Sequence, residues 1–303
     1  MSAAAAVEAA VGATVYALTH PGLHRGENQD SFLVADLSVP TVEGPWRVST
    51  DRGDTPGARR FAVGRGLLAV VADGMGGAAA GALASRLAVA EIYGAMATRW
   101  AAEPEPTPGV FARALRDAVT AANAALHRHA TREPACEGMG TTATVAGVLD
   151  GCLFLAQVGD SRAYLVRGGV ATQLTRDQSL VQKLMDAGTL TPDQAERSGL
   201  GSVLLQALGP EARVEVDLTR QPLRRGDVLV LCSDGLSRTV PPAGIGAAVA
   251  GAADPAALCA ALVDAALAAG APDNVTVVAA VLEGAGLQPP RDGDRVGRVP
   301  FDA

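Results

Sequence analysis

A chain of 303 residues, 49% of them apolar and only 3% aromatic, holds enough Ala, Val and Leu for a buried core and does not have the composition of a disordered protein. Its formal net charge of -7, with no basic run, argues against nucleic acid as a partner, because phosphate backbones are held by clustered Lys and Arg. Cys136, Cys152, Cys232 and Cys259 form no CxxC pair, which argues against thiolate zinc and a disulfide framework and leaves them as small buried hydrophobes.

The first twenty residues lack a cationic segment and are interrupted by Glu8, so no signal peptide is read there. No uninterrupted run of about 18 apolar residues predicts a membrane span. The chain reads as cytoplasmic. Strands are expected at Thr14–Leu18, Ser31–Ala35 and Leu67–Ala72, where β-branched runs are bounded by Gly, Asp or Pro. Two long helical patterns follow, Ala78–Ala101 and Val110–His129. Strands Thr142–Val148, Cys152–Val158 and Arg162–Val166 come next, with Asp150-Gly151 and Gly168-Gly169 as hairpin turns. Short helices are expected at Gln178–Ala187, Pro192–Glu196 and Ser202–Ala207. The chain then closes with strand Asp227–Cys232, helix Pro255–Ala269 and strand Val275–Leu282. Clustered strands, without strict β/α alternation, indicate an α+β fold of antiparallel sheets packed together with helices outside. Leu37–Gly66, rich in Pro, Gly and charge, reads as a surface insertion, either a loop or an extra hairpin carrying Trp46. Gly284–Ala303 reads as a flexible tail.

Aspartates recur at the ends of the apolar runs. LLAVVADG ends in Asp73-Gly74, DVLVLCSDG in Asp234-Gly235 and CLFLAQVGD in Asp160, while Asp30 and Asp273 stand just before strands. Neighbouring strand ends can aim carboxylates at one point without placing charge inside the core. Anions gathered there repel one another and raise each other's pKa unless a cation neutralises them. An all-oxygen donor set points to Mg²⁺ or Mn²⁺ over Zn²⁺. Gly after Asp lets backbone approach closely and offers a carbonyl as a further ligand. A single Asp-Gly is more often a turn than a ligand, but DGMGG is too long for a tight hairpin and runs straight into a helix. Arg25, in HRGENQD, lies close enough in sequence to Asp30 to share the site, and its guanidinium suits phosphate oxygens.

With these residues assembled, the sequence resembles the bacterial branch of the PPM-type (type 2C) metal-dependent protein phosphatases. The matching segments are RGENQD, VVADGMGG, EGMGTTATV, VGDSRAYLVRGG, LTRDQSLVQKLMDAGTLTPDQA, QALG, LVLCSDGLS and PDNVTVV, in the family's order from about Thr14 to Leu282. The resemblance implies a four-layer αββα sandwich of two antiparallel sheets flanked by helices over residues 12–283, with a flap over 174–209. It implies two Mn²⁺ or Mg²⁺ ions bridged by a hydroxide that attacks phosphoserine or phosphothreonine. Asp73 would bridge the ions, the Gly74 carbonyl, Asp234 and Asp273 would complete their shells, and Asp30 would act through water. Arg25 would hold the substrate phosphate, and Asp160 matches the ligand of a third, looser metal site. The implied partners are phosphorylated proteins and an opposing Ser/Thr kinase, and the chain is expected to be a monomer. The alternative is a low-turnover, phosphoprotein-binding regulator of the same fold. A metal-dependent nuclease also fits an aspartate cluster, but the acidity and the missing basic groove oppose it.

Some positions depart from the family pattern. Ala78 and Gln178 stand where His is usual, Gln29 replaces a common Glu, and SGLGSVLLQALG lacks the usual Arg-Asn-Val pattern. Arg238 takes a position that often carries an Asp for the third metal. A cation there repels a third ion, so two held ions and a weak or absent third are expected. The principal ligands remain, which favours an active enzyme. Cys232 is expected to be structural, and the four histidines to take no part in the site. His127 and His129 point to different helix faces and read as surface residues.

Overall fold

The computed structural model describes residues 11–38, 58–201 and 203–301. Its strands are β1 (Gly12–His20), β2 (Asp30–Asp36), β3 (Arg59–Ala62), β4 (Leu67–Met75), β5 (Gly140–Thr141), β6 (Ala143–Leu149), β7 (Cys152–Val158), β8 (Arg162–Arg167), β9 (Val170–Gln173), β10 (Asp217–Pro222), β11 (Val228–Cys232), β12 (Val275–Glu283) and β13 (Val299–Pro300). Its helices are α1 (Ala78–Ala101), α2 (Pro108–Arg132), α3 (Leu180–Asp186), α4 (Pro192–Arg197), α5 (Asp234–Ser237), α6 (Pro242–Gly251) and α7 (Pro255–Ala268).

Two antiparallel sheets result. The first runs β3-β1-β12-β11-β8-β9 and the second β13-β10-β7-β6-β4-β2. One apolar cluster lies between the sheets and under α7, built from Val15, Val71, Leu155, Leu231, Val277 and Leu262 among others. A second lies between the second sheet and the helix pair α1 and α2. The order is therefore helix, sheet, sheet, helix. This is the four-layer sandwich that the resemblance implied.

Local chemistry explains the outer layers. In α1, Ala84, Ala88, Ile92, Met96 and Trp100 repeat every four residues and are fully buried, forming one apolar stripe. Thr107 caps α2 by accepting from the Val110 amide, with Pro108 in the first turn. Asp254 caps α7 in the same way through the Ala257 amide. Both hairpin turns are as expected: Asp150 and Gly151 have φ of 49° and 70°, and Gly168 and Gly169 have 58° and 80°.

Some expectations shift. Val203–Ala207 is not helical: Leu204 bridges to Ser179 and the Leu205 amide bonds the Gln178 carbonyl, so the segment runs extended along the flap. The Ala-rich stretch Ala243–Ala271, which reads from its composition as packed helix, forms two helices, α6 and α7, divided ahead of Pro255. Residues 39–57 of the expected insertion lie outside the described residues, as does Trp46. Its flank forms β3, which pairs with β1 at the edge of the first sheet. Residues 284–301, expected as a free tail, are laid against the second sheet. Leu287 is buried, Arg224 grips Asp294 at 2.6 and 2.9 Å, Arg298 grips Asp217, and β13 pairs with β10. Phe301 then packs edge-on against Phe154 at 5.7 Å. Composition marked this stretch as polar, but Leu287, Asp294, Arg298 and Phe301 each meet a partner in the body of the fold.

Candidate active site

The predicted carboxylates gather at one end of the paired sheets. Asp30 opens β2 and Asp73 lies in β4, and the two are directly paired across that ladder. Asp234 begins α5 straight after β11, and Asp273 stands two residues before β12, which pairs with β11. Asp160 occupies the turn by which the chain crosses from β7 in the second sheet to β8 in the first. Asp73, Asp160, Asp234 and Asp273 line one cleft of about 440 Å³, together with Arg25, Gly74 and Arg238. Asp30 is buried behind it.

Glycine permits this convergence at two points. A Cβ on Gly74 would lie 2.1 Å from the Gly81 carbonyl oxygen, and one on Gly235 would lie 2.0 Å from that of Asn274. Any side chain there would push α1 off β4, or α5 off the loop that carries Asp273.

Hydrogen bonds fix the carboxylates from behind. Ser233 Oγ and Thr276 Oγ1 donate to Asp30 Oδ2 at 2.7 and 2.6 Å. Thr276 Oγ1 also lies 2.7 Å from Thr19 Oγ1, which accepts from Asn28 Nδ2. Around Asp73, the amide donates to Thr142 Oγ1, while the Thr142 amide and Thr141 Oγ1 donate to its carbonyl, each at 2.9 Å. Asn274 ties the loop bearing Arg25 to the strand after Asp273. It accepts from the Gln29 amide at 2.8 Å and donates to the carbonyls of Pro21 and Glu27 at 2.8 and 3.0 Å. Residue patterns did not single out Thr141, Thr142, Ser233, Asn274 or Thr276. The one signal was polar residues interrupting otherwise apolar runs, as in GTTATV and DNVTVV.

The electrostatics are those of crowded anions. Burial pushes the Asp30 carboxyl up to about 7, opposed by its Thr276 and Ser233 bonds. Burial, then the charges of Asp30, Asp234, Asp160 and Asp273, hold Asp73 well above the usual carboxylate range. Asp160 is raised to about 7 by burial and by Asp234, and Asp234 is raised by burial with Arg238 opposing. Two guanidiniums answer this charge: Arg25 Nη2 bonds Asp273 Oδ2 at 2.7 Å, and Arg238 Nη2 bonds Asp234 Oδ2 at 2.7 Å and Asp160 Oδ2 at 3.4 Å.

These residues fit divalent ions in donor type and in unmet need. Oδ1 of Asp30 and Oδ1 of Asp234 are buried oxygens without a hydrogen-bond partner, which proteins leave only where something else satisfies them. Among the described residues no three acidic, histidine or cysteine groups form a ready-made shell around one point. Asp273 is paired with Arg25, and Asp234 and Asp160 with Arg238.

A larger cavity of about 920 Å³ lies between α3 and the chain's end, lined by Lys183, Leu205, Asp217 and Phe301 among others. It holds none of the five predicted aspartates. Exposed His24 lines the cleft beside Arg25, contrary to the expectation that every histidine lies apart from the site. His127 is half-buried, with Nδ1 2.9 Å from the Gly209 carbonyl oxygen, so it fastens the end of the flap. Gln178 Oε1 accepts from the Gly159 amide beside Asp160, a structural use of a position where His was expected.

Burial pushes the Cys232 and Cys259 thiols up to about 12. Both therefore stay protonated at pH 8, where only a thiolate is nucleophilic. Alkylation of the native protein read site by site by mass spectrometry should leave both unlabelled, and unfolding should expose both. Rapid native labelling of Cys232 would contradict its burial under the site.

Four layers with an acidic, arginine-flanked cleft at one end of the paired sheets define an αββα sandwich of the phosphatase type. The chain belongs to the protein phosphatase 2C family, whose model matches residues 54–265. The serine/threonine protein phosphatase PstP of Mycobacterium tuberculosis is 42% identical over 214 residues, which is 70% of this chain and 40% of that protein. The chain thus spans less than half the length of this relative. The serine/threonine phosphatase stp of Listeria monocytogenes is 39% identical over 178 residues, covering 57% of this chain and 68% of the relative. Among solved structures, the catalytic domain of PstP in complex with two manganese ions superposes with a TM-score of 0.70 at 36% identity, over 90% of this chain and 99% of that one.

Proposed function

We propose that this chain is a metal-dependent phosphatase that hydrolyses phosphoserine and phosphothreonine in proteins. The observation that carries the reading is the shared cleft of Asp73, Asp160, Asp234 and Asp273 beside Arg25, with buried, unpartnered oxygens on Asp30 and Asp234. Two bound divalent ions supply Lewis-acid charge at the phosphoryl oxygens and an activated water as nucleophile. Asp73, Asp234, Asp273 and the Gly74 carbonyl would hold the ions. Asp30, with Oδ2 saturated by Ser233 and Thr276, keeps Oδ1 to accept from water. Arg25 bonds Asp273 through Nη2, and its side chain is 57% exposed, which leaves its other N–H groups for the substrate phosphate. The expected substrates are phosphoproteins of an opposing Ser/Thr kinase. A cytoplasmic monomer is the proposed state; among the described residues no helix is long and apolar enough to cross a membrane. Phosphate release from phosphoserine and phosphothreonine peptides, with Mn²⁺ or Mg²⁺ and with excess chelator, tests the reading. Release that persists in chelator, or none with either ion, would overturn it.

The ion count follows from Arg238. A guanidinium already seated between Asp160 and Asp234 repels a further cation there, so two ions are held and the third is weak or absent. Calorimetric titration with Mn²⁺ should give two sites per chain, and three for Arg238→Asp. Three in the unsubstituted chain would refute this.

A further inference from the structure

Between Gly188 and Gly201 the flap carries α4 and arches over a cavity of about 680 Å³. The cavity is lined by Val181, Met185 and Ala195 on the flap side and by Asp160, Asp234 and Arg238 on the other. Among the described residues, every hydrogen bond made by this stretch stays within the flap except one. That exception is Arg238 Nη2 donating to the Gly201 carbonyl oxygen at 2.8 Å. The flap's other anchors lie outside the stretch and include Asp177 at Arg162, Gln178 at Gly159, Leu208 at Thr141 and Gly209 at Asn123. The same Arg238 nitrogen bonds Asp234 and reaches Asp160. Arg238 itself follows α5 directly, and its amide bonds the Asp234 carbonyl, so its backbone is fixed to the cleft floor.

We propose that Arg238 is the latch of the flap, a positioning residue whose guanidinium pins the Gly201 carbonyl to the Asp160–Asp234 pair and so separates the cleft from the cavity beneath the flap. A planar guanidinium suits this task because the two N–H groups of that one Nη2 are held in fixed directions in its plane, whereas the donors of an ammonium rotate about a single point charge. Without the latch, the flap's arch has no hydrogen-bonded hold on the cleft, and cleft and cavity become one space. A phosphopeptide that extends beyond the phosphate would feel this change, and a small ester would not reach it.

Hydrogen exchange on the substrate-free protein tests the latch independently of the proposed activity. Arg238→Ala should speed exchange at the Val203 and Leu205 amides, which bond the Leu200 and Gln178 carbonyls, by about tenfold or more. The amides of β11 and β12 should keep their protection, showing that the variant folds. Arg238→Lys should fall between the two. If Arg238 merely neutralises the carboxylates, adding Asp160→Asn to Arg238→Ala will restore flap protection, and the proposal fails. It fails equally if Val203 and Leu205 exchange alike in wild type and Arg238→Ala. Where turnover is observed, Arg238→Ala should also raise KM for a phosphopeptide several-fold more than KM for p-nitrophenyl phosphate. Equal changes would count against the latch. A lack of turnover on either substrate would sink the phosphatase reading while leaving the exchange result standing.

Discussion

Asp73→Asn is expected to lose about 10³-fold or more of ion-dependent phosphate release, and yet to melt at a higher temperature than the wild type in chelator. Both effects have one source. Asp73 lies under the field of four other carboxylates, and burial with that repulsion holds its proton well above the ordinary range. A divalent ion turns this unfavourable crowding into affinity. Removing one ligand forfeits a large part of the several kcal/mol that Lewis-acid charge contributes, at about 1.4 kcal/mol for each factor of ten. Asparagine has nearly the same shape but no charge, and the backbone clasp by Thr141 and Thr142 does not depend on the side chain. Without ions the variant therefore sheds repulsion at no packing cost. A relief of only ~1 kcal/mol shifts the melting temperature of a domain this large by about 2 °C. Added Mn²⁺ should reverse the order, because only the wild type gains the full linkage stabilisation. Turnover near the wild-type rate would remove Asp73 from the chemistry. A lower melting point in chelator would show that the carboxylates are not in conflict.

The aspartates were legible because a carboxylate ending an apolar run is conspicuous, and antiparallel sheets bring several run ends to one edge. Asp73 after LLAVVA and Asp234 after LVLCS are of this kind. Their supports were not legible. Ser233 meets Asp30 across 203 residues and Thr276 meets it across 246, relations that no local pattern encodes. Thr142 shows the same limit: a strand is expected to begin at it, but it stands between β5 and β6 because its amide and hydroxyl are turned to Asp73. Strands with polar or charged sequences, such as RRFA in β3 and DLTRQP in β10, lack the alternation that marks a half-buried strand. They are strands because a neighbour offers a ladder. The flap segment after Gly201 failed in the opposite direction, since its helical spacing lost to tertiary pairing with Ser179 and Gln178.

Asn274→Asp should show how far the site depends on these unmarked supports. Asn274 is 3% exposed, and its side chain spends one acceptor on the Gln29 amide and two donor contacts on the carbonyls of Pro21 and Glu27. Aspartate keeps the size and the acceptor but turns a carboxylate oxygen toward two carbonyl oxygens. Setting a buried carboxylate against two part-buried carbonyl oxygens forfeits both bonds, at about 1–3 kcal/mol for each polar group left unpaired away from water, and the added anion sits beside Asp273. A loss of roughly 3 kcal/mol is expected, read as a fall of about 6 °C or more in melting temperature. The loop from Pro21 to Gln29 carries Arg25, so loosening it displaces the phosphate-facing guanidinium and the start of β2 at Asp30. Misplacement of about 1 Å costs on the order of 10²-fold in rate. KM for a phosphopeptide should rise as kcat falls, since both Arg25 and the Asp30–Asp273 side of the cleft move. Asn274→Ala, which leaves the two carbonyls room for water, should retain more stability than Asn274→Asp. If Asn274→Asp melts and turns over like the wild type, the Arg25 loop is held by something other than Asn274.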